Sequence, residues 1–366
     1  MLITLLSLFA GSTGILVIYY TIFGKLAFTD NSLRQGKPAP VSVIIRSKNN
    51  AAILRQTLPA ILAQDHPDFE VILINDASSD HTMEVMEYFS ERHDHVKIVN
   101  VINNEAFWGK KKYALTLGIK AARHPIFVFT EDNYIPLSGM WLQEMSQHFC
   151  GEKSMVLGYS KVKRKKNVFA NALIRFDNWF HAIKYLSFAK SGMPYTGSGK
   201  NLAYHKNAFY QVNGFISHMN MKNGEDELFI NEVATAKNTA ICVARAARTE
   251  SVTTPSFRQW VIQKREGFYL FRNFKIRHRI LLNTYYMAQF LFWLLPIPLV
   301  FLGMNPVTLL TLILIKWGIQ YAVMARLAKR FDEKGLMWLL PIYEFVLISV
   351  QFYIFITGFR KSTRWK

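Results

Sequence analysis

Acidic residues gather at three places in this chain where a local pattern ends. The apolar run Phe69-Glu70-Val71-Ile72-Leu73-Ile74 gives way to Asn75-Asp76-Ala77-Ser78-Ser79-Asp80, and Ile126-Phe127-Val128-Phe129 gives way to Thr130-Glu131-Asp132-Asn133. A third pair, Glu225-Asp226, follows Asn223-Gly224 and opens a helical stretch. Carboxylates so placed can accept from N–H groups, ligate a hard divalent cation, or take a proton from a hydroxyl. Lys110-Lys111-Lys112 offers ammonium groups for phosphate. The loop Thr196-Gly197-Ser198-Gly199-Lys200-Asn201 has two glycines that permit close backbone approach to a ligand. Each feature alone has a plainer reading: an Asx turn, acids favoured by a helix dipole, a solvated charge run.

The elements that must position these groups alternate in type. Val41 to Ile45 reads as a strand, and Ile53, Leu54, Leu58, Ile61 and Leu62 follow at helical spacing. Strands over 69–74, 96–101 and 126–129 are separated by helical segments, one near 109–122, and another helix follows near 138–148. Short β-branched strands alternating with helices predict an α/β fold with a mostly parallel sheet flanked by helices. Ligands of such sheets bind outside the carboxyl ends of the strands. Asp76 and Glu131-Asp132-Asn133 both fall there, so one crevice can hold both. Further strands are expected at 155–162, 202–204, 240–246 and 248–253, and a helix at 167–189 with a packing stripe of aromatics.

The chain has 366 residues, 51% hydrophobic and only 19% charged, so membrane segments are sought first. Residues 2 to 23 carry no charged side chain and lack a basic start or a small-residue cleavage site, which predicts a retained anchor. Lys25, Arg34 and Lys37 follow it, placing the next domain in the cytoplasm by the positive-inside rule. Apolar stretches at 281–303, 306–325 and 336–357 are each long enough to span. Three crossings would put the basic tail, Arg360 to Lys366, outside the cytoplasm. Pro296 and Pro298 single out the first stretch as the one that does not cross. The organisation expected is an anchor at 1–24, a linker at 25–40, a catalytic domain at 41–255, a basic interfacial helix at 256–280, and a membrane region of two or three spans at 281–366. The net charge of +19 suits an anionic bilayer and a nucleotide diphosphate. Nucleic acid is set aside because the aromatics that would stack on bases lie beside membrane spans. Cys150 and Cys242 show no paired spacing, so neither a disulfide nor a zinc site is indicated.

Taken together, Val43-Ile44-Ile45-Arg46-Ser47-Lys48-Asn49, Leu58 to Gln64, Phe69 to Thr82 and Gly109 to Thr116 resemble the family 2 glycosyltransferases of the GT-A fold. That family includes cellulose, chitin and hyaluronan synthases. The resemblance covers about 41 to 270, and the flanking apolar stretches agree with its membrane-bound branch. It implies that Asp76 holds the nucleotide base, that Lys111, with Lys110 and Lys112 as further candidates, pairs with the diphosphate, and that Ser47, Glu131 and Asp132 complete the nucleotide-sugar site. The family's Asp-X-Asp motif, which ligates Mg²⁺ or Mn²⁺, reads here as Glu131-Asp132-Asn133, so the chain departs from the pattern at its last position. Gly224-Glu225-Asp226 resembles the motif whose aspartate is the general base, with Glu225 as its neighbour. Gly197, Ser198, Gly199 and Lys200 match the acceptor-side loop. Gln263 and Arg265 are what remains of the Gln-X-X-Arg-Trp motif of processive synthases, which favours single-sugar transfer. The activity implied is inverting transfer from a nucleotide sugar, UDP-linked, to a lipid-linked or membrane-proximal acceptor. A polyprenyl-phosphate sugar synthase is one alternative. A sugar-nucleotide-binding or scaffolding protein that has lost turnover is the other, prompted by Asn133.

Overall fold

The structure is a computed structural model that describes residues 1–28, 36–102, 110–166 and 168–358. Two compact units divide the chain: Met1–Thr29 with Val261–Lys361, and the intervening Asp30–Trp260 together with the last residues. The first helix, α1 (Leu2–Ala27), belongs to the former unit.

The sheet unit begins as the apolar pattern predicts. β1 (Val41–Ser47), α2 (Ala51–Leu62), β2 (Phe69–Asp76), α3 (Thr82–Ser90), β3 (Val96–Val101), α4 (Lys110–Ala121) and β4 (Ile126–Phe129) follow in order. β1 lies between β2 and β4, and β3 flanks β2, all in parallel. Val43, Ile44, Ile45 and Val71 to Ile74 are buried, as expected of strands covered on both faces. Leu54, Leu58 and Ile61 of α2 form the stripe that packs on that sheet, at the i, i+4, i+7 spacing of a core-facing helix.

Beyond β4 the sheet changes direction. After β5 (Tyr134–Pro136), α5 (Trp141–Ser146), β6 (Met155–Leu157), β7 (Ser160–Lys161) and α6 (Phe169–Lys190) comes β8 (Leu202–His205), which pairs antiparallel with both β4 and β6. α7 (Lys206–Gln211), α8 (Glu227–Val233), β9 (Thr239–Ile241) and β10 (Thr249–Ser251) complete the unit. The main sheet runs β3-β2-β1-β4-β8-β6-β9, and β5-β10-β7 form a second, small sheet. The single strand expected at 155–162 is two, broken at Gly158-Tyr159 because its halves serve different sheets.

Asn201 holds this break together. It is buried; its Oδ1 accepts from Trp141 Nε1 at 3.0 Å, and its Nδ2 donates to the carbonyls of Tyr159 at 3.0 Å and Ala247 at 2.7 Å. One side chain thus joins α5, the β6–β7 break and the approach to β10.

The other unit is helical. α9 (Phe257–Phe271) leads into it, followed by α10 (Ile276–Leu294), α11 (Pro296–Phe301), α12 (Pro306–Phe331) and α13 (Leu340–Gly358). Four segments, Leu2–Ala27, Ile276–Phe301, Pro306–Phe331 and Leu340–Thr357, are long and apolar enough to cross a membrane. Pro296 stands at the first position of α11, where its missing N–H costs nothing, and α10 and α11 together form one of those four segments. At the polar centre of the unit Lys316 Nζ donates to Glu344 Oε2 at 2.6 Å, while Tyr20 Oη at 2.9 Å and Gln320 Nε2 at 3.2 Å donate to Glu344 Oε1. The basic tail lies outside the described residues.

Asn201→Ala would leave the buried Trp141 indole N–H and the Ala247 carbonyl without these bonds, each costing about 1–3 kcal/mol, while the Tyr159 carbonyl keeps Thr249 N at 3.4 Å. The expected result is a fall of several degrees in the melting temperature of the detergent-solubilised protein.

Candidate active site

The loops after β1 and β2 brace each other at the carboxyl edge of the sheet. Ser79 N donates to Asn49 Oδ1 at 2.7 Å, and Asp80 accepts from Ala51 N at 3.1 Å and Thr82 N at 3.0 Å. Beside them a cleft of about 310 Å³ is lined by Arg46, Lys111, Glu131, Asp132, Asn133, Gly199, Glu225 and Asp226, among others. The sequence-predicted acids of the β4 end and the Glu-Asp pair therefore meet in one place.

Asp226 is the residue before α8 and lies against the Gly199 loop. Its Oδ2 accepts from Gly199 N at 2.9 Å. A Cβ at position 199 would collide with that carboxylate, so glycine is what lets the loop come so close. Burial, and then Glu225 and Glu227 beside it, push the Asp226 carboxyl well above the usual carboxylate range. Gly224 takes the left-handed conformation, φ 97°, that turns the chain into this pair.

Glu225 faces Lys111 across the cleft, the two forming an ion pair. Burial works to raise the glutamate's pKa, but the ammonium outweighs it and holds the group below its ordinary value. Lys111 in turn stays charged: burial opposes this, and Glu225, Glu131 and Asp226 together overcome it. The side chain of Lys110 lies outside the described residues. Lys112, entirely buried, turns to the protein interior.

At the end of β4, Asp132 Oδ2 accepts from Ser47 Oγ at 2.6 Å, and the Asp132 carbonyl accepts from Thr57 Oγ1 at 2.7 Å. Burial raises the Asp132 carboxyl's pKa. Ser47 is thus a prop for Asp132 rather than part of the cleft wall. Asn133 Nδ2 donates weakly to Thr253 Oγ1 at 3.3 Å, while its Oδ1 is buried without a partner among the described residues. Lys200 lies behind Gly199 with its Nζ 5.4 Å from the centre of the Tyr134 ring. Gly197 packs against Leu157 and Ile230, and neither it, Ser198 nor Lys200 lines the cleft. Gln263 and Arg265 sit on α9 in the helical unit, where Arg265 Nη2 donates to Thr357 Oγ1 at 3.3 Å.

Asp76 also stands behind the wall. Arg46 Nε donates to Asp76 Oδ2 at 2.8 Å, a second bond from Nη2 reaches the same oxygen, and it is Arg46 that lines the cleft. Arg46 lies within the Val43–Asn49 stretch quoted for the resemblance, but nothing in that stretch marks it as the residue that pairs with Asp76.

No group of three His, Cys, Asp or Glu side chains among the described residues is arranged to hold a metal ion. The hard oxygens on offer at the β4 end are the carboxylates of Glu131 and Asp132 and the Asn133 side-chain carbonyl, whose Oδ1 is buried without a partner among the described residues, and all three residues line the cleft. Such a set suits Mg²⁺ or Mn²⁺, which take few protein ligands when phosphate and water supply the rest.

A mostly parallel sheet interrupted by an antiparallel strand, with acids at the β4 end and a Glu-Asp pair opposite, is the layout of a GT-A fold. In agreement, a mannosyltransferase, PcManGT, from Pyrobaculum calidifontis in complex with GDP-Man and Mn2+ superimposes with a TM-score of 0.61 over 94% of this chain and 98% of its own, at 16% identity. The sequence model of the family described as Glycosyl transferase family 2 matches residues 42–215, and the chain carries a family 2 glycosyltransferase domain. Among curated relatives, the poly-beta-1,6-N-acetyl-D-glucosamine synthase of Staphylococcus epidermidis is 32% identical over 110 residues, covering 29% of this chain and 26% of the relative. The probable glycosyltransferase YdaM of Bacillus subtilis is 35% identical over 96 residues, covering 25% and 23%. The matched region spans about a quarter of the length of these relatives.

Gly199→Ala is expected to displace the Asp226 carboxylate and lower turnover by about a hundredfold, the cost of a misplacement near 1 Å. Nucleotide affinity, measured by calorimetry, should stay within about twofold, because the loop precedes β8, which β4 separates from β1 and its Arg46.

Proposed function

We propose that the protein is a membrane-anchored, inverting glycosyltransferase that moves a sugar from a nucleotide sugar, uridine-linked, to a lipid-linked or membrane-proximal acceptor. The observation that carries this reading is the Asp226 carboxylate, held by the Gly199 N–H in the same cleft as Lys111 and the Glu131–Asn133 segment. In the transfer step the acceptor oxygen forms a bond to the anomeric carbon as the bond from that carbon to the diphosphate oxygen breaks. The acceptor's proton goes to Asp226 and the electron pair leaves with the nucleoside diphosphate.

A carboxylate whose proton affinity is raised by burial and by neighbouring acids is a stronger base than one in water. The Lys111 ammonium would offset the charge that builds on the leaving diphosphate. Glu131 and Asn133 would hold a divalent ion, which when bound supplies further charge neutralisation at the diphosphate. Arg46, held from behind by Asp76 at the β1 and β2 ends, would meet the nucleoside. Four apolar helices and a basic aromatic α9 support a site working close to a bilayer, with the sheet unit on its cytoplasmic face.

Incubating the purified protein with a panel of nucleotide sugars and Mn²⁺ should release nucleoside diphosphate from one donor; release from none would sink the reading. Asp226→Asn should lower kcat by roughly a hundredfold or more. Because the base must be ionised, and its pKa is raised, wild-type kcat/KM should fall with decreasing pH already above the ordinary carboxylate range. An acid limb confined to pH values near 4, where unperturbed carboxylates titrate, would argue against this assignment.

A further inference from the structure

Adjacent lysines at the start of α4 end in different surroundings. While Lys111 pairs with Glu225 in the cleft, Lys112 is fully buried, and its Nζ donates to the carbonyls of His218 at 2.8 Å, Met221 at 2.7 Å and Asn223 at 2.9 Å. An ammonium has three protons, and here all three go to backbone oxygens of one short segment. Burying such a charge costs several kcal/mol unless its protons are all met by good acceptors. A lysine held only for solubility would turn outward, as the first residues of a helix readily allow. The segment from 218 to 223 runs directly into Gly224, Glu225 and Asp226, with only the Gly224 turn between.

We propose that Lys112 is a positioning residue for sugar transfer: through the 218–223 segment it sets the Glu225 and Asp226 carboxylates against the cleft without touching substrate. The proposal rests on the reading of Asp226 as the base. Two anchors then fix the acidic pair, one on the backbone before it through Lys112 and one on the Glu225 carboxylate through Lys111.

The clamp is sensitive to pH in a definite direction. Charged and titratable groups facing Lys112 are Glu225, Glu227 at the start of α8, Lys111 on its own helix, and His218. Burial brings the Lys112 pKa down to about 8, with Glu225 and Glu227 opposing and Lys111 assisting. His218, brought down to about 4 by burial and by Lys112, is neutral throughout that range. Below about pH 8 the three bonds stand; above it the neutral amine has two protons for three carbonyls, and one carbonyl loses its donor.

The test uses the full chain in detergent, with the donor found by the panel, and measures kcat and KM from about pH 6 to about pH 10 to bracket an ordinary lysine and this one. For Lys112→Met the expectation is a fall in kcat of about ten- to a hundredfold, with donor KM within about twofold. The wild type should show an alkaline limb in kcat near pH 8 that Lys112→Met lacks, and Lys112→Arg, which keeps its charge, should recover most of kcat without that limb. Wild-type kcat in Lys112→Met, or an unchanged alkaline limb, would overturn the proposal. Should Lys112→Met fail to fold, a wild-type kcat flat from pH 7 to beyond about pH 9 would overturn it equally. Asp226→Asn is run alongside: its loss of transfer with none in Lys112→Met rejects the positioning role alone, whereas transfer at the wild-type rate rejects the base assignment and the proposal with it.

Discussion

The ion pair between Lys111 and Glu225 is the constraint on which the cleft depends. Glu131, Glu225, Asp226 and Glu227 come from the β4 end and the start of α8, and each raises the cost of ionising another. Without an ammonium among them, the like charges would drive one another neutral or drive the α8 entry away from the sheet. Lys111 settles the matter unevenly. Glu225, in contact with it, is pulled toward the ionised form, while Asp226, one residue on, is left with its proton affinity raised. One cation thereby divides two adjacent acids into one that gives up its proton readily and one that holds it.

The change of direction in the sheet serves the same cleft. Parallel strands β1, β2 and β4 bring their carboxyl ends to one edge, the usual place for a ligand. The antiparallel β8 starts at that edge, pairing its Leu202 with Phe129, so the loop before it reaches the cleft from the other side. Gly199 belongs to that loop and donates to Asp226. A fully parallel sheet would have placed the amino end of this strand at the far edge.

How much of this was legible depends on the kind of signal. Strands β1 to β4 could be read because valine and isoleucine runs leave no other reading, and the helix after β1 because its leucines recur at 3.6-residue spacing. The direction of β8 could not, since four residues covered on both faces carry no mark of parallel or antiparallel pairing. The acids at 131–133 and 225–226 were visible as motif matches, and the cleft brings them together. Asp76 was visible too, but not that Arg46 would pair with it and line the cleft, because the contact joins residues thirty positions apart on two strands and neither stretch names its partner in the other. In Lys110-Lys111-Lys112 the sequence offers three equivalent ammonium groups. Only the helical phase, about 100° per residue, sends one to Glu225 and the next into the interior.

The helical unit has a consequence for how the molecule is made. Glu344 on α13 accepts from Tyr20 on α1 and from Lys316 and Gln320 on α12. Tyr20 is translated more than three hundred residues ahead of Glu344, with Asp30–Trp260 of the sheet unit in between. Until then Lys316 lacks the Glu344 carboxylate that it meets in the folded unit. A transcript truncated ahead of codon 344 would yield a protein with its sheet unit intact and its helices unable to settle, a defect that quality-control proteases would meet as loose helices and not as a damaged enzyme.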